Sequence, residues 1–183
     1  MKTRALIVIL AMACCPAVPA AETFKIDPAH STIAFKVRHM LGSARGTFTR
    51  FSGTIEVDRQ NPEQSSVTVR IAAASIDTGI AKRDEHLRGE LFNVEKYPEI
   101  TFQSRRVKQT GATSGDIVGD LIMHGVTREI TLNVQMLSSD ARRWKVTTAP
   151  IHRSQFGLVF SKSAETVSMI SDEVAVEIEI EAK

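Results

Sequence analysis

Cysteine is nearly absent from the sequence, and both copies lie near its start. Cys14 and Cys15 fall within the first 20 of the 183 residues. If that segment is removed, the rest of the chain has no thiol, which excludes disulfides and cysteine metal ligands. The remaining length of about 160 residues is enough to bury the core of one domain without such cross-links.

Long apolar runs are lacking everywhere except at the start. The one long run ends at Cys15; it follows a basic beginning and precedes small residues with a cut site after Ala20. This order is typical of a secretory signal peptide, and the run is too short to cross a bilayer, which takes about 20 residues. We therefore predict a signal peptide over residues 1–20, one domain over residues 21–183, and secretion to the periplasm. An N-terminal anchor and a lipoprotein remain alternatives.

Neither positive nor negative charge dominates the sequence. The chain has 23 basic and 21 acidic residues, and residues 1–20 contain two of the basic ones, Lys2 and Arg4, and none of the acidic ones. The predicted mature chain therefore carries no net formal charge. A field that attracts nucleic acid or an anionic membrane is not expected, and neither is stable membrane insertion.

Motifs for catalysis, phosphate binding and metal binding are missing. The five histidines are far apart and lack ligand spacing; they are His30, His39, His86, His124 and His152. No Gly-x-Ser-x-Gly elbow and no glycine-rich phosphate loop is present. We predict no metal, no cofactor and no enzymatic activity, although catalytic groups that meet only in the folded chain would escape this test. His30 is expected to anchor the start of a strand, and His124 to begin a turn.

What the sequence does have is alternation of apolar and polar residues, the pattern of half-buried strands. It is clearest near the C-terminus, where Val174, Val176, Ile178 and Ile180 alternate with glutamates. Alternating segments predict eight or nine strands and little helix. Residues 46–58 are expected to form one strand that a bulge bends near Phe51. An antiparallel sheet of this size can remove its edges by closing into a barrel, while a sandwich is the alternative.

The stretch AKRDEHLRGELFN, residues 81–93, does not alternate. Ile80, Leu87 and Leu91 are spaced as one face of a short helix, and Asp84 would lie in its first turn. We interpret this segment as a gate at the mouth of an apolar cavity. A connecting helix with solvated charges is the alternative.

Six segments in order, spread over nearly the whole chain after residue 20, resemble the YceI-like family. They are IDPAHSTIAFKVRH, GTFTRFSGTIEVD, RDEHLRGELFNVEKYPEITF, GDLIMHGVTREITLNV, RSQFGL and SDEVAVEIEIEA. Members of this family are exported lipid-binding proteins, also described as polyisoprenoid-binding. The resemblance implies an all-β fold, a lipocalin-like extended antiparallel β-barrel of about eight strands with one short helical segment. Its pore would hold a long amphiphile lengthwise.

The resemblance also implies a set of binding residues. The expected contacts to a ligand head group are Arg38, His39, Arg83, Asp84, His86 and Arg153, with Asp84 orienting an arginine. The expected lining of the pore around the ligand tail is Phe35, Val37, Met40, Phe48, Phe51, Leu87, Leu91, Phe92, Ile100, Phe102, Met123, Phe156, Phe160 and Met169. Where many relatives have an acid, this chain has Gln155, which could change the preferred head group.

These observations predict a periplasmic carrier that binds a long-chain amphiphile of isoprenoid or quinone type, and that could form a homodimer. An enzyme acting on a lipid in the same pore is one alternative, and it requires a polar cluster deep inside the barrel. A stress-response interaction protein with a filled core is another, and it requires that no cavity be present.

Overall fold

The alternating segments form twelve antiparallel strands in the computed structural model, which describes residues 21–160 and 169–183. The predicted signal peptide lies outside these residues. The strands are β1 (Glu22–Lys25), β2 (Thr32–His39), β3 (Gly42–Phe48), β4 (Phe51–Val57), β5 (Ser66–Ala72), β6 (Ile76–Asp77), β7 (Glu99–Gln109), β8 (Ser114–Met123), β9 (Val126–Met136), β10 (Arg143–Thr148), β11 (Ile151–His152) and β12 (Glu173–Glu181). The count exceeds the predicted eight or nine because β1, β6 and β11 are too short to show a periodic pattern.

The strands make one sheet whose order is β1-β4-β5-β7-β8-β9-β10-β12-β2-β3-β6, with β11 also paired to β12. The sheet curls into a half-barrel, and a bridge between Ile26 and Ala182 ties the chain after β1 to the end of β12. The prediction of an all-β, lipocalin-like antiparallel barrel with one short helical segment is confirmed.

The prediction of one bent strand over residues 46–58 is wrong. The chain leaves β3 at Phe48 and starts β4 at Phe51, and the two strands have different neighbours: β3 pairs with β2 and β6, β4 with β1 and β5. Thr49 and Arg50 connect them by bonding to other segments, since the Thr49 N–H donates to the Ser75 carbonyl and the Arg50 carbonyl accepts from the Ala72 N–H. The change of parity therefore marks a crossing between strands. The register irregularity lies in β7.

The turn between β8 and β9 begins at His124, as predicted, but it contains only two residues. His124 and Gly125 have φ angles of 53° and 76°, which suit the tight hairpin turns that match the twist of a sheet. A Cβ on Gly125 would lie 2.7 Å from the Tyr97 ring. Glycine is thus required both by the backbone conformation and by the packing of Tyr97.

The charged segment forms helix α1 (Ala81–His86), which continues into one π-helical turn, Leu87–Leu91. Asp84 lies in the first turn, as predicted, and is buried. Ile80 precedes the helix and is 52% exposed, so it does not share the buried face of Leu91. Short 3₁₀ helices cover Pro62–Gln64, Ala73–Ser75 and Arg153–Phe156.

Buried residues form two clusters, one toward each end of the barrel. The first is centred on Phe156, Ile76 and Phe92 and packs under the helical segments. The second closes the end at which β12 finishes, and we call it the closed end; it contains Phe24, Ile26, Ile33, Phe51, Ala141, Trp144, Val146, Ile180 and Ala182. The space between the strands and these clusters is the candidate site.

Candidate ligand cavity and its mouth

An elongated cavity of about 410 Å³ runs through the barrel, within the range of pockets that hold small molecules. Its wall consists of inward side chains from β2 to β12, because successive residues of a strand point to opposite faces. On β12 the inward residues are Val174, Val176, Ile178 and Ile180, while Glu173, Glu177 and Glu179 are exposed. The predicted inner and outer faces of β12 are therefore confirmed.

Polar groups are few along this wall. Among the lining residues that the structure describes, the side chains with a hydrogen-bonding group are His39, Thr78, Arg83, Trp144, Thr148 and Arg153, and none is an acid. His39 ends β2, and Thr78, Arg83 and Arg153 come from the segments around the same end. We call this end the mouth. Trp144 and Thr148 lie deeper, on β10, so the cavity is mostly apolar along its length and cationic at the mouth.

Arg83 is held at the mouth by Thr78. The Arg83 Nε donates to Thr78 Oγ1 at 2.8 Å, and its Nη2 donates to the Thr78 carbonyl at 2.9 Å. Asp84 accepts from the Thr78 N–H at 2.9 Å and from its hydroxyl. The buried carboxylate therefore acts on Arg83 through Thr78 and does not contact it. Within the described residues, Arg83 Nη1 donates to nothing, which leaves it able to bind a ligand.

Thr78 was not predicted as a site residue. The sequence offers only a weak signal for it, a threonine before Gly79 at a turn into the helix. Its role depends on Asp84 and Arg83 folding back over six residues, which no periodic pattern reveals.

Arg153 also lines the cavity, but it organises the backbone around the mouth. It is buried, with 7% exposure. Its guanidinium donates to the carbonyls of Leu158 at 2.7 Å, Ser171 at 3.1 Å and Ile170 at 3.3 Å. The group lies 5.1 Å from the centre of the Phe160 ring. Arg153 thus joins the two segments that meet beside the end of β2.

Three predicted head-group residues do not line the cavity. Arg38 is exposed because it alternates with Val37 and His39, which point inward. His86 lies on α1, 3.1 Å from Glu90, and its ring stacks on Phe160. Asp84 is buried behind Thr78. The structure therefore brings together His39, Arg83 and Arg153, and the part that each plays in ligand binding stays a prediction.

Ten of the fourteen residues predicted to surround the tail do line the cavity. They are Phe35, Val37, Phe48, Leu87, Leu91, Phe92, Ile100, Phe102, Met123 and Phe160. The placement of the other four differs from the prediction. Phe51 and Phe156 are packed inside the two core clusters, whereas Met40 and Met169 are 60% and 65% exposed in loops at the mouth.

Sequence reasoning missed much of the wall, including the inward residues of β5, β9 and β10. Val69, Leu132 and Val146 line the cavity. Their alternation predicted which residues share a face. It did not show that the enclosed face surrounds an open space, because packed and lining residues have the same apolar character.

Gln155, which replaces the acid of many relatives, does not alter the cavity wall, because its side chain is exposed and does not line the cavity. Gln155 belongs to the 3₁₀ helix Arg153–Phe156, and the carboxylate that binds this helix is that of Asp172. Asp172 accepts hydrogen bonds from the Ser154 N–H and from the Ser154 hydroxyl, both at 2.8 Å. Partial burial acts to raise the pKa of Asp172, but the bonds from Ser154 and His152 and the charge of Arg153 hold it below its usual value. The His152 ring nitrogen Nδ1 lies 3.2 Å from the Asp172 carboxylate.

Within residues 21–160 and 169–183, no helix has the length and apolarity needed to cross a membrane. The same residues contain no group of three or more His, Cys, Asp or Glu side chains arranged to hold a metal ion.

Comparison with known proteins gives consistent matches. The sequence model of the YceI-like domain matches residues 24–182. A UPF0312 protein of Photorhabdus laumondii is 41% identical over 128 residues, which are 68% of this chain and 66% of the relative's length.

Solved structures share the fold. BcnA of Burkholderia cenocepacia superposes with a TM-score of 0.76 at 25% identity, covering 85% of this chain and 98% of that one. A polyisoprenoid binding domain from Saccharophagus degradans superposes with a TM-score of 0.65 at 23% identity, covering 87% and 97%.

Proposed function

The chain belongs to the YceI-like family, and on that premise we propose that it is a periplasmic carrier that holds a long-chain amphiphile, of isoprenoid or quinone type, in its barrel. The observation that carries this proposal is the long apolar cavity with its polar groups at one end. The likeness to the Saccharophagus degradans domain supports the fold. The residues that line the cavity support the proposed chemistry of the ligand.

Transfer of an apolar tail from water into such a cavity is favourable. Each CH₂ group transferred from water contributes about 0.8 kcal/mol, and a chain of many such groups offsets the cost of immobilising it. At mid-depth Val176, Ile178 and Leu132 are apolar. Among the described lining residues at this level, Thr148 is the one with a hydrogen-bonding side chain, and its hydroxyl already donates to the Thr131 carbonyl at 2.9 Å. A tail without polar atoms fits this wall, since a buried polar atom would lack a partner.

The mouth favours a head group that accepts hydrogen bonds. Arg83 and His39 line the cavity at its mouth, and the described lining residues include no carboxylate. A phosphate or a quinone carbonyl would accept from these donors, and bonds to a charged donor are the stronger kind. An amine head group would meet cationic side chains and no acid to pair with.

The two alternatives fit less well. A lipid-modifying enzyme needs a polar cluster at depth, yet below the mouth the described lining residues offer only the Trp144 indole and the Thr148 hydroxyl, which lie at different levels of the barrel. A filled core requires that no cavity be present. The similar domain from Saccharophagus degradans is a polyisoprenoid binding domain, which is a binding role.

The first test is native mass spectrometry of protein purified from the periplasm of its own host, followed by extraction and fragmentation of any adduct. A lipid at one copy per chain is expected. Protein free of lipid that also fails to bind added polyprenyl phosphates and quinones would contradict the proposal.

A matched pair of variants tests whether the tail lies in the cavity. Val176→Trp places an indole across the middle of the cavity, and we expect it to reduce ligand affinity more than about tenfold by excluding the tail. Ala175→Trp adds the same side chain at the next position, which is exposed on the outer face. Circular dichroism checks that both variants keep their sheet. Equal affinity of the two folded variants would place the ligand outside the barrel.

A further inference from the structure

Most of the large apolar side chains that the fold leaves exposed lie around the mouth. Seven such residues occur in the described chain, and five of them belong to segments that also contribute lining residues: Met40, Leu41, Ile80, Val159 and Met169. Met40 follows His39, Ile80 lies between Thr78 and Arg83, Val159 lies between Leu158 and Phe160, and Met169 precedes Ile170. An exposed apolar surface of this kind is typical of an interaction site.

The turn between β2 and β3 holds Leu41, the most exposed of these large apolar side chains. Met40 is 60% exposed and Leu41 is 87% exposed. They lie between His39 and Gly42, the last pair of the β2–β3 ladder. Both side chains can therefore enter an apolar phase without any change in the barrel.

The same hairpin is locally cationic although the mature chain has no net charge. Residues 31–55 contain Lys36, Arg38, Arg45 and Arg50 and no acidic residue. Lys36 and Arg45 are cross-strand partners on the outer face, and Arg38 lies closer to the turn. The adjacent strands do contain acidic residues, which are Asp77 on β6 and Glu173, Glu177, Glu179 and Glu181 on β12. Within the hairpin itself, the balanced net charge therefore conceals a local excess of basic residues beside the apolar turn.

We propose that the mouth docks on an anionic phospholipid bilayer, with Met40 and Leu41 inserted among the lipids and Arg38 and Arg45 at the head groups. Peripheral proteins bind the membrane interface by inserting apolar residues partway and by placing basic residues at the anionic head groups. Docked in this way, the cavity opens toward the bilayer. This docking goes beyond the proposed carrier function, since the surface exists whichever amphiphile the cavity takes.

Vesicle flotation tests the proposal with the whole protein and vesicles of POPC with or without POPG. We expect the wild type to float with POPG vesicles. Met40→Ser combined with Leu41→Ser should reduce its affinity at least about tenfold, because each large aliphatic side chain contributes close to that factor when it leaves water. Arg38→Gln combined with Arg45→Gln should reduce binding to POPG vesicles about fivefold or more.

The matched control is Leu137→Ser. Leu137 is 50% exposed, but it follows β9 at the closed end, where its N–H donates to the Arg143 carbonyl. This variant should float like the wild type. A second readout is quenching by brominated lipids, which should reduce the emission of L41W and leave that of L137W unchanged.

Three outcomes would overturn the proposal. They are a wild type that does not float, equal binding by the Met40/Leu41 and Leu137 variants, and quenching that is the same at both tryptophan positions. If the wild type instead forms a dimer that the Met40/Leu41 variant loses, and does not float, a second copy of the chain covers this surface.

Discussion

At its closed end the barrel is packed and tied together, whereas at its mouth it leaves apolar and cationic groups available. At the closed end, Phe24 packs edge-to-face on Trp144, and the backbone of Lys25 and Asp27 bonds to Lys183 and Glu181 at the end of the chain. At the mouth, Leu41 is 87% exposed and His39 and Arg83 face the cavity. One end of the fold is packed and bonded, and the other leaves the groups that we propose contact a ligand.

The difference extends to how charged groups are used. Asp27, at the closed end, accepts from the Ala29 N–H, from His30 and from Lys183. His30 thus bonds within the loop that precedes β2, and its predicted role in anchoring that strand stays a prediction. At the mouth, Asp84 fixes Thr78, which in turn holds Arg83 beside the cavity. The first carboxylate joins the termini of the barrel, and the second positions a donor.

A truncation at each end tests the comparison most strongly. Phe24→Ala should lower the free energy of unfolding by about 3–5 kcal/mol, because it removes a buried ring from the closed end and leaves a cavity. Leu41→Ala at the mouth should change it by less than about 0.5 kcal/mol, since that side chain is exposed. Urea unfolding measures both. A cost at Leu41 similar to that at Phe24 would mean that the mouth also contributes to stability.

A change of donor at the mouth should affect binding more than stability. Arg83→Gln should weaken binding of a polyprenyl phosphate about tenfold to a hundredfold, because a hydrogen bond to a charged group contributes about 1.5–3 kcal/mol. Binding of the corresponding hydrocarbon without a head group should not change. Lys82→Gln, on the same helix but outside the cavity, is the control. Equal loss for the phosphate and the hydrocarbon would show that Arg83 only supports the fold.

The smallest expected effect is a pH-dependent loss at the closed end. The bonds from His30, Lys183 and Ala29 lower the pKa of Asp27 from 3.8 to about 2. A carboxyl with a lowered pKa contributes stability above the unfolded pKa and loses it as the pH falls through the folded one.

Asp27→Asn should therefore lower Tm at neutral pH, and the difference from the wild type should shrink between about pH 4 and pH 2. Glu63→Gln, at an exposed position, should show no such trend. A difference in Tm that stays constant across this range would mean that the asparagine disturbs packing and that the charge of Asp27 contributes nothing.

The sequence predicted the strands well where each strand has one buried face. On β12 and β9 the alternation is uninterrupted, so element type and facing were both readable. The prediction for residues 46–58 was wrong because only two residues separate two strands there. The resulting change of parity in the apolar pattern is the same signal that a bulge within one strand gives. Pairing partners are set by contacts distant in the chain, which alternation does not encode.

The site was predictable in its chemistry and less so in its geometry. Val37 and His39 were placed correctly because strand alternation fixes their direction. Met40 and Met169 were not, because loop residues follow no period. Arg153 has the residue type of a head-group contact, yet it binds backbone carbonyls that only the folded chain brings near it.

The position of Trp144 has a further consequence for how this protein could be studied. It is the sole tryptophan of the chain, and it lines the cavity where the closed end begins. A tail that enters at the mouth must span the full depth of the barrel to reach the indole. In a series of isoprenoids of increasing length, the emission of Trp144 should stay constant until the tail is long enough and then shift. The emission of Trp144 would thus report the length of the tail that the barrel accepts.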